Sequence, residues 1–222
     1  MKTISPMLTV IVLFGCGSEK GQPTSPPSET QPSLSPTVSR EVADEPDTSA
    51  VTSDAGDSPR SDEAMTIIEE REGRAMSTPG SGFVVQLQWT SVRDDDLWYL
   101  QAVDDLRDLN LAVTPITDAG LMHLADLTTL EQLELSGTRI TDYGLEFLTE
   151  LTNLKQLGLQ DTQITDIGVD CLKGLTNLEQ LSLSRPQITD AGLESLKGLY
   201  NLKQLGLRDA QVTDAGMASL RG

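Results

Sequence analysis

The sequence predicts an α/β solenoid, a stack of short coils with a parallel sheet on one side and short helices on the other. Three observations carry that prediction. A 24-residue period runs through residues 83–222, leucines alternate with polar residues early in each unit, and leucines fall three apart later in it.

One unit reads Leu130-Glu-Gln-Leu133-Glu-Leu135-Ser-Gly-Thr138-Arg-Ile140-Thr141-Asp142-Tyr-Gly144-Leu145-Glu-Phe-Leu148-Thr-Glu-Leu151-Thr-Asn153. Leu133 and Leu135 alternate with Gln132, Glu134 and Ser136, the period of a short strand with one buried face. Leu145, Leu148 and Leu151 share one side of a short helix or 3₁₀ turn, and Ile140 fills the corner between. A single unit cannot cover its own leucines. Neighbours stacked about 4.8 Å apart can, and the leucines then form one continuous core. Further units begin at Leu106, Leu154, Leu178 and Leu202. A worn copy precedes them, with Val85 and Leu87 at the strand positions, Thr90 as the threonine and Val92 as the isoleucine. Six units result, the first degenerate and the last cut short at Gly222.

The pattern Leu-x-x-Leu-x-Leu-x-x-Thr-x-Ile-Thr-Asp-x-Gly-Leu resembles the leucine-rich repeat family over residues 83–222. It is similar to the ribonuclease-inhibitor-like and cysteine-containing varieties, with Thr in place of the usual Asn or Cys. The resemblance implies a curved right-handed horseshoe whose concave sheet commonly binds protein. The threonine holds at Thr90, Thr114, Thr138 and Thr162 but becomes Pro186 and Ala210, so turn hydrogen bonding is expected to be uneven toward the C-terminus.

Residues 1–15 read as a lipoprotein signal peptide. Lys2 supplies positive charge ahead of the apolar run Met7-Leu8-Thr9-Val10-Ile11-Val12-Leu13-Phe14. That run is far short of the roughly 20 residues that span a bilayer but suits a signal core. Leu13-Phe14-Gly15-Cys16 resembles the bacterial lipobox, which implies cleavage before Cys16 and lipidation of its thiol. Phe14 departs from the small residue usual there, and the alternative is an ordinary signal peptide with an incidental cysteine. Gly17 resembles the pattern sent to an outer membrane. Residues 16–82 read as a disordered tether in which Pro, Ser, Thr, Asp and Glu dominate, too polar to repay its own ordering. As a flexible chain it spans about 45 Å. Within it Ser61 to Arg71 has helical character, with Ser61 as cap and Asp62 and Glu63 favouring the first turn. A frayed, isolated helix is expected, with docking through Met65 and Ile68 as the alternative.

The net charge is −18 and the pI near 4.2. Residues 17–82 carry 13 acids against 5 bases, and residues 83–222 carry 21 against 10. Neither part offers the cluster of Lys and Arg that phosphates require, so a nucleic-acid partner is excluded. Cys16 and Cys171 are the two cysteines; with Cys16 lipidated no disulfide forms, and the core alone holds the fold.

Stacking turns each repeat position into a column. Asp94, Asp118, Asp142, Asp166, Asp190 and Asp214 recur where a helix begins, so each Thr–Asp pair is expected to cap or electrostatically favour the N-terminus of its own helix; a Ca²⁺ ladder is the alternative. Gly120, Gly144, Gly168, Gly192 and Gly216 point to close packing of coils, with Asp96 replacing glycine in the worn unit. The concave rows are Asp108, Gln132, Gln156, Gln180 and Gln204, then Asn110, Glu134, Gly158, Ser182 and Gly206, then Ala112, Ser136, Gln160, Ser184 and Arg208. Stacked glutamines are expected to form a hydrogen-bonded ladder. The functional reading is a shallow polar groove for a protein partner, lined by Gln132, Glu134, Gln156, Gly158, Gln160, Gln180, Ser182 and Gln204, with Arg185 and Arg208 as anchors.

Phe83, Trp89, Trp98 and Tyr99 crowd the first unit and are expected to cap its open end. His123 and Cys171 share a column with Phe147 between them, about two helix spacings of 8–10 Å apart, too far to share a metal. One histidine and no nucleophile–base pair predict no enzyme activity, no cofactor and no metal. The expected role is a lipid-anchored, protein-binding module of the bacterial cell envelope. The alternative is a structural or self-assembling spacer, since Leu220-Arg221-Gly222 adds no cap.

Overall fold

The computed structural model describes residues 9–11, 61–78, 82–184 and 187–220. Cys16, the Pro-rich stretch after it, Arg185 and Pro186 lie outside the described residues. Strand β1 (Thr9–Ile11) is followed by helix α1 (Ser61–Glu70), β2 (Arg74–Thr78), β3 (Gly82–Gln86), a 3₁₀ segment (Asp94–Ala102) and β4 (Leu106–Asn110). Helices and strands then alternate: α2 (Asp118–Leu121), β5 (Gln132–Glu134), α3 (Asp142–Leu145), β6 (Gln156–Gly158), α4 (Asp166–Cys171), β7 (Gln180–Ser182), α5 (Asp190–Ser195), β8 (Gln204–Gly206) and α6 (Asp214–Ser219).

The strands form one sheet in the order β1-β8-β7-β6-β5-β4-β3-β2. All neighbours run parallel except β2, which is antiparallel to β3. Leu109, Leu133, Leu157, Leu181 and Leu205 stand in register from strand to strand, 24 residues apart. This is the α/β solenoid that the period predicts. Leu133, Leu157 and Leu181 are at most 2% exposed, and Ile140, Leu145, Leu148 and Leu151 are fully buried. Each such side chain contributes about 1.5–3 kcal/mol on burial.

The turn threonine is buried, and a buried hydroxyl needs an acceptor. Thr114, Thr138 and Thr162 donate to the carbonyls of Leu111, Leu135 and Leu159 at 2.6, 2.6 and 2.7 Å. Ala210 has no hydroxyl to donate, so the last turn lacks this bond, and the unevenness read from the sequence is real at that position.

The expected capping is carried by the threonine of each Thr–Asp pair, while the aspartate side chain turns to the next coil. Thr117, Thr165, Thr189 and Thr213 cap their own helices, accepting N–H bonds from Ala119, Ile167, Ala191 and Ala215. Five of the six aspartates, all but Asp214, accept two bonds from the next coil's threonine. Asp142 takes the Thr165 N–H at 2.7 Å and its O–H at 2.6 Å, and Asp94, Asp118, Asp166 and Asp190 repeat the pair. The threonine backbone is extended at the cap, which turns both donors toward the preceding coil. The glycine column follows: a Cβ at Gly168 would collide with Oδ1 of Asp142, and Gly144, Gly192 and Gly216 face the same obstacle. In the first coil Asp96 fills the glycine slot without conflict. It accepts the Arg93 N–H at 2.9 Å and pairs with Arg71 at 2.5 Å.

Helix α1 corrects an expectation. It is docked rather than isolated, with Ala64 and Ile68 fully buried and Met65 and Ile67 partly so. It packs on the 3₁₀ segment and on β2. Among the described residues, α1 and β2 pack with the first coil. The cause is the open end: Leu87, Leu97 and Leu100 have no preceding coil, and α1 with β2 supplies the missing neighbours. Of the aromatic cluster, Tyr99 is fully buried and Phe83 packs partly buried against the core, whereas Trp89 is 76% and Trp98 43% exposed, so the two tryptophans are not part of that cap.

The Tyr99 hydroxyl has no hydrogen-bond partner among the described residues. Burial pushes its phenol up from 10.0 to about 12, with Asp96 adding to the rise and Arg71 opposing it. A raised phenol stabilises the fold below its unfolded value and loses that contribution as pH climbs from about 10 to about 12. Tyr99→Phe is expected to leave stability unchanged or raise it by about 1 kcal/mol, and to remove that part of the alkaline loss. Denaturant titrations at neutral and alkaline pH check both.

At the far end β1 pairs with β8, Thr9 opposite Gln204, Val10 opposite Leu205 and Ile11 opposite Gly206. Strand β7 uses the same register on the other side of β8. The C-terminal edge is thus occupied by a strand where the sequence suggests no cap.

Candidate functional site on the concave sheet

Strand register builds the concave surface as rows. Val84, Asp108, Gln132, Gln156, Gln180 and Gln204 form one row, and Gln86, Asn110, Glu134, Gly158, Ser182 and Gly206 the next. A groove of about 330 Å³ runs over them, lined among others by Gln86, Asp108, Asn110, Gln132, Glu134, Gln156, Gly158, Gln180 and Ser182. A second hollow of about 220 Å³ joins Gln160, Ser184, Gln204 and Arg208 to the same sheet. The structure thus brings together every candidate concave residue except Arg185, which lies outside the described residues.

The charges are few and uneven. Asp108 stands between Val84 and Gln132, and burial pushes its carboxyl up. Glu134 accepts the Ser136 N–H at 3.0 Å and leans over the neighbouring strand. Gly158 is required there, because a Cβ would collide with the Glu134 carboxylate. Asn110 accepts the Ala112 N–H at 3.0 Å and donates to Gln86 Oε1 at 3.2 Å. At the opposite end Arg208 is 53% exposed and lies 3.7 Å from Asp209. Two carboxylates therefore occupy one half of the face and a guanidinium the other.

The expected glutamine ladder does not form. Among the described residues Gln132, Gln156, Gln180 and Gln204 are not hydrogen-bonded to one another. A solvated amide pair gains little over water, and holding two flexible side chains still costs more. Their amides stay free for a ligand.

Two features escaped the sequence reading. Arg107, Glu131, Lys155, Glu179 and Lys203 alternate in sign along one column beside the groove. Glu131 bridges Lys155 at 2.5 Å and Arg107 at 2.6 Å, and Glu179 meets Lys203 at 2.7 Å. These cations, Lys155 first, hold the Glu131 carboxyl below its ordinary range. The alternation at 24-residue spacing was the available signal. The second feature is Trp89, which stands at the exit of the first strand beside Val113, both exposed and both with positive φ (64° and 56°).

No group of three or more acidic, histidine or cysteine side chains able to hold a metal exists among the described residues. Burial, with Glu146 and Asp170 adding, pushes the half-buried Cys171 thiol up, away from a reactive thiolate. No helix among the described residues is long and apolar enough to cross a membrane.

The leucine-rich repeat family matches at residues 152–211 and 126–148. Among solved structures, an internalin (inlF) from Listeria monocytogenes is similar at 30% identity with a TM-score of 0.51, over 60% of this chain and 37% of that one. The chain thus spans little more than a third of the internalin's length. The leucine-rich-repeat ectodomain of the receptor kinase SOBIR1 from Arabidopsis thaliana is 15% identical, over 68% of this chain and 95% of that one, with a TM-score of 0.40. No curated protein matches the chain.

Proposed function

With the stacked coils belonging to the leucine-rich repeat family, we propose that the chain is a non-catalytic binding module that receives a protein partner on its concave sheet. The supporting observation is the groove itself: a preformed polar surface with free glutamine amides, two carboxylates at one end and Arg208 at the other. Amides and small residues let an extended segment approach the sheet, and the reversed charges select its orientation. Asp108 fits this role because it is partly desolvated, which costs the free protein stability and is repaid only by a cationic group of a partner.

The module is proposed to be held at a bacterial envelope membrane, the outer membrane where two exist, by lipid on Cys16, with residues 17–60 as its reach. Cleavage before Cys16 removes β1 and leaves β8 as the edge of the sheet. Two tests separate the parts of the proposal. Cys16→Ala is expected to move the protein from the membrane fraction to the soluble one; unchanged membrane association refutes the anchor. A photo-crosslinking side chain placed at Gln156 in intact cells is expected to give discrete adducts that the same group at exposed Lys197 does not. Equal yields at both positions refute the concave site.

A further inference from the structure

The two ends of the sheet are closed differently. At the first coil the closing elements, α1 and β2, come directly ahead of β3 in the chain. At the last coil the strand seated on the outer edge of β8 is β1, whose Thr9, Val10 and Ile11 stand opposite Gln204, Leu205 and Gly206. Cleavage before Cys16, as proposed above, takes that strand away. It leaves a vacancy of defined shape.

Gln204 and Gly206 are spent on the preceding coil. The Gln204 N–H donates to the Glu179 carbonyl at 3.0 Å, and the Gly206 carbonyl accepts the Leu183 N–H at 2.8 Å. Backbone groups of successive strand residues turn to opposite sides, so the N–H and C=O of Leu205 face the outer edge. With β1 gone, both need a new partner. The apolar end of the stack is open as well. Val212, Met217 and Leu220 are only partly buried, whereas Ile188, Leu193 and Leu196 one coil earlier are at most 2% exposed. The flanking cations are already engaged, Lys203 with Glu179 at 2.7 Å and Arg208 beside Asp209 at 3.7 Å.

We propose that the edge of β8 is a docking site for one extended strand of a partner protein, lying parallel to β8 with an aliphatic β-branched residue opposite Leu205. Strand β1 is the direct precedent, because it occupies this same edge in the register that β7 holds on the other side. Its Thr-Val-Ile sequence is neutral and β-branched, which suits an edge whose flanking cations are taken. Main-chain bonds to Leu205 supply attachment, and the inward residue supplies selectivity. A second copy of this chain fits poorly. A two-fold axis would set the two β8 edges antiparallel, and it would join two chains of net charge −18. The site rests on the cleavage reading and is independent of the concave groove.

The protein is purified from cells, and its mass reports whether residues 1–15 are gone. It is then titrated by fluorescence anisotropy with a labelled peptide carrying Leu-Thr-Val-Ile-Val between lysine ends. Saturable binding of one peptide per chain is expected. In the parallel register the isoleucine N–H meets the Leu205 carbonyl while the central valine N–H points away. N-methylation of the isoleucine is therefore expected to weaken binding at least tenfold, and N-methylation of the central valine far less. Both modified peptides keep the charge of the first, and the protein is unaltered throughout. A cleaved chain that shows no saturable binding, or equal losses from the two N-methyl peptides, overturns the docking site alone. A mass that still includes residues 1–15 refutes the cleavage and the vacancy with it. A dimer that the peptide dissociates also overturns the proposal, since a second copy would then be the occupant.

Discussion

Replacing Leu157 by aspartate is expected to unfold several coils together rather than one. Leu157 is 2% exposed and stands in register between Leu133 and Leu181, so its side chain belongs to the core of three coils at once. An unpaired carboxylate there loses the transfer energy of the leucine and adds a desolvation cost, together well beyond about 4 kcal/mol. That is of the order of the whole stability of a domain this size. Because each coil is held mainly by its neighbours, the loss propagates along the stack. The circular dichroism of the helices and strands should fall and the melting transition should vanish or drop steeply. Glu134→Gln, on the opposite face of the adjoining strand, is the control and should leave the melt nearly unchanged.

The second large effect concerns the stitch between coils. Asp142→Ala removes both acceptors of the Thr165 N–H and O–H, leaving two part-buried donors unsatisfied at about 1–3 kcal/mol each. Gly168→Ala attacks the same joint from the other side, because the new methyl meets Oδ1 of Asp142 and approaches its backbone. It is expected to cost about 2 kcal/mol or more by displacing that carboxylate. The two changes share one cause. The double variant is therefore expected to be no less stable than Asp142→Ala alone, a departure from additivity that a double-mutant cycle in denaturant measures directly. Additive losses would mean that glycine and aspartate are needed for unrelated reasons.

Much of this architecture is legible in the chain. The alternation around Leu133 and Leu135 sets the strands, the three-residue spacing of Leu145, Leu148 and Leu151 sets the outer turns, and the period sets the register. The rows of the concave face follow from these alone. What a single repeat cannot reveal is the direction of a hydrogen bond between repeats. Asp142 sits where a helix cap is expected, and only the stacked geometry shows its carboxylate turned to Thr165. The helical character of α1 was legible, but its docking was hidden for another reason. Its burial depends on the vacancy at the first coil, a property of Leu87 and Leu97 rather than of residues 61–70. The same vacancy explains why Tyr99 is buried while Trp89, expected beside it in the cap, points outward at the strand exit. The glutamines misled because identical side chains in a column suggest pairing, although water competes for each amide.

Every element of the account depends on residues 24 positions apart meeting across adjacent coils. Methyl-selective nuclear magnetic resonance of the leucines tests this most directly. Cross-peaks are predicted between Leu133 and Leu157 and between Leu157 and Leu181, with none between Leu133 and Leu181, which lie two strands apart. A folded protein in which Leu157 shows no contact to either neighbour would contradict the stack and everything built on it.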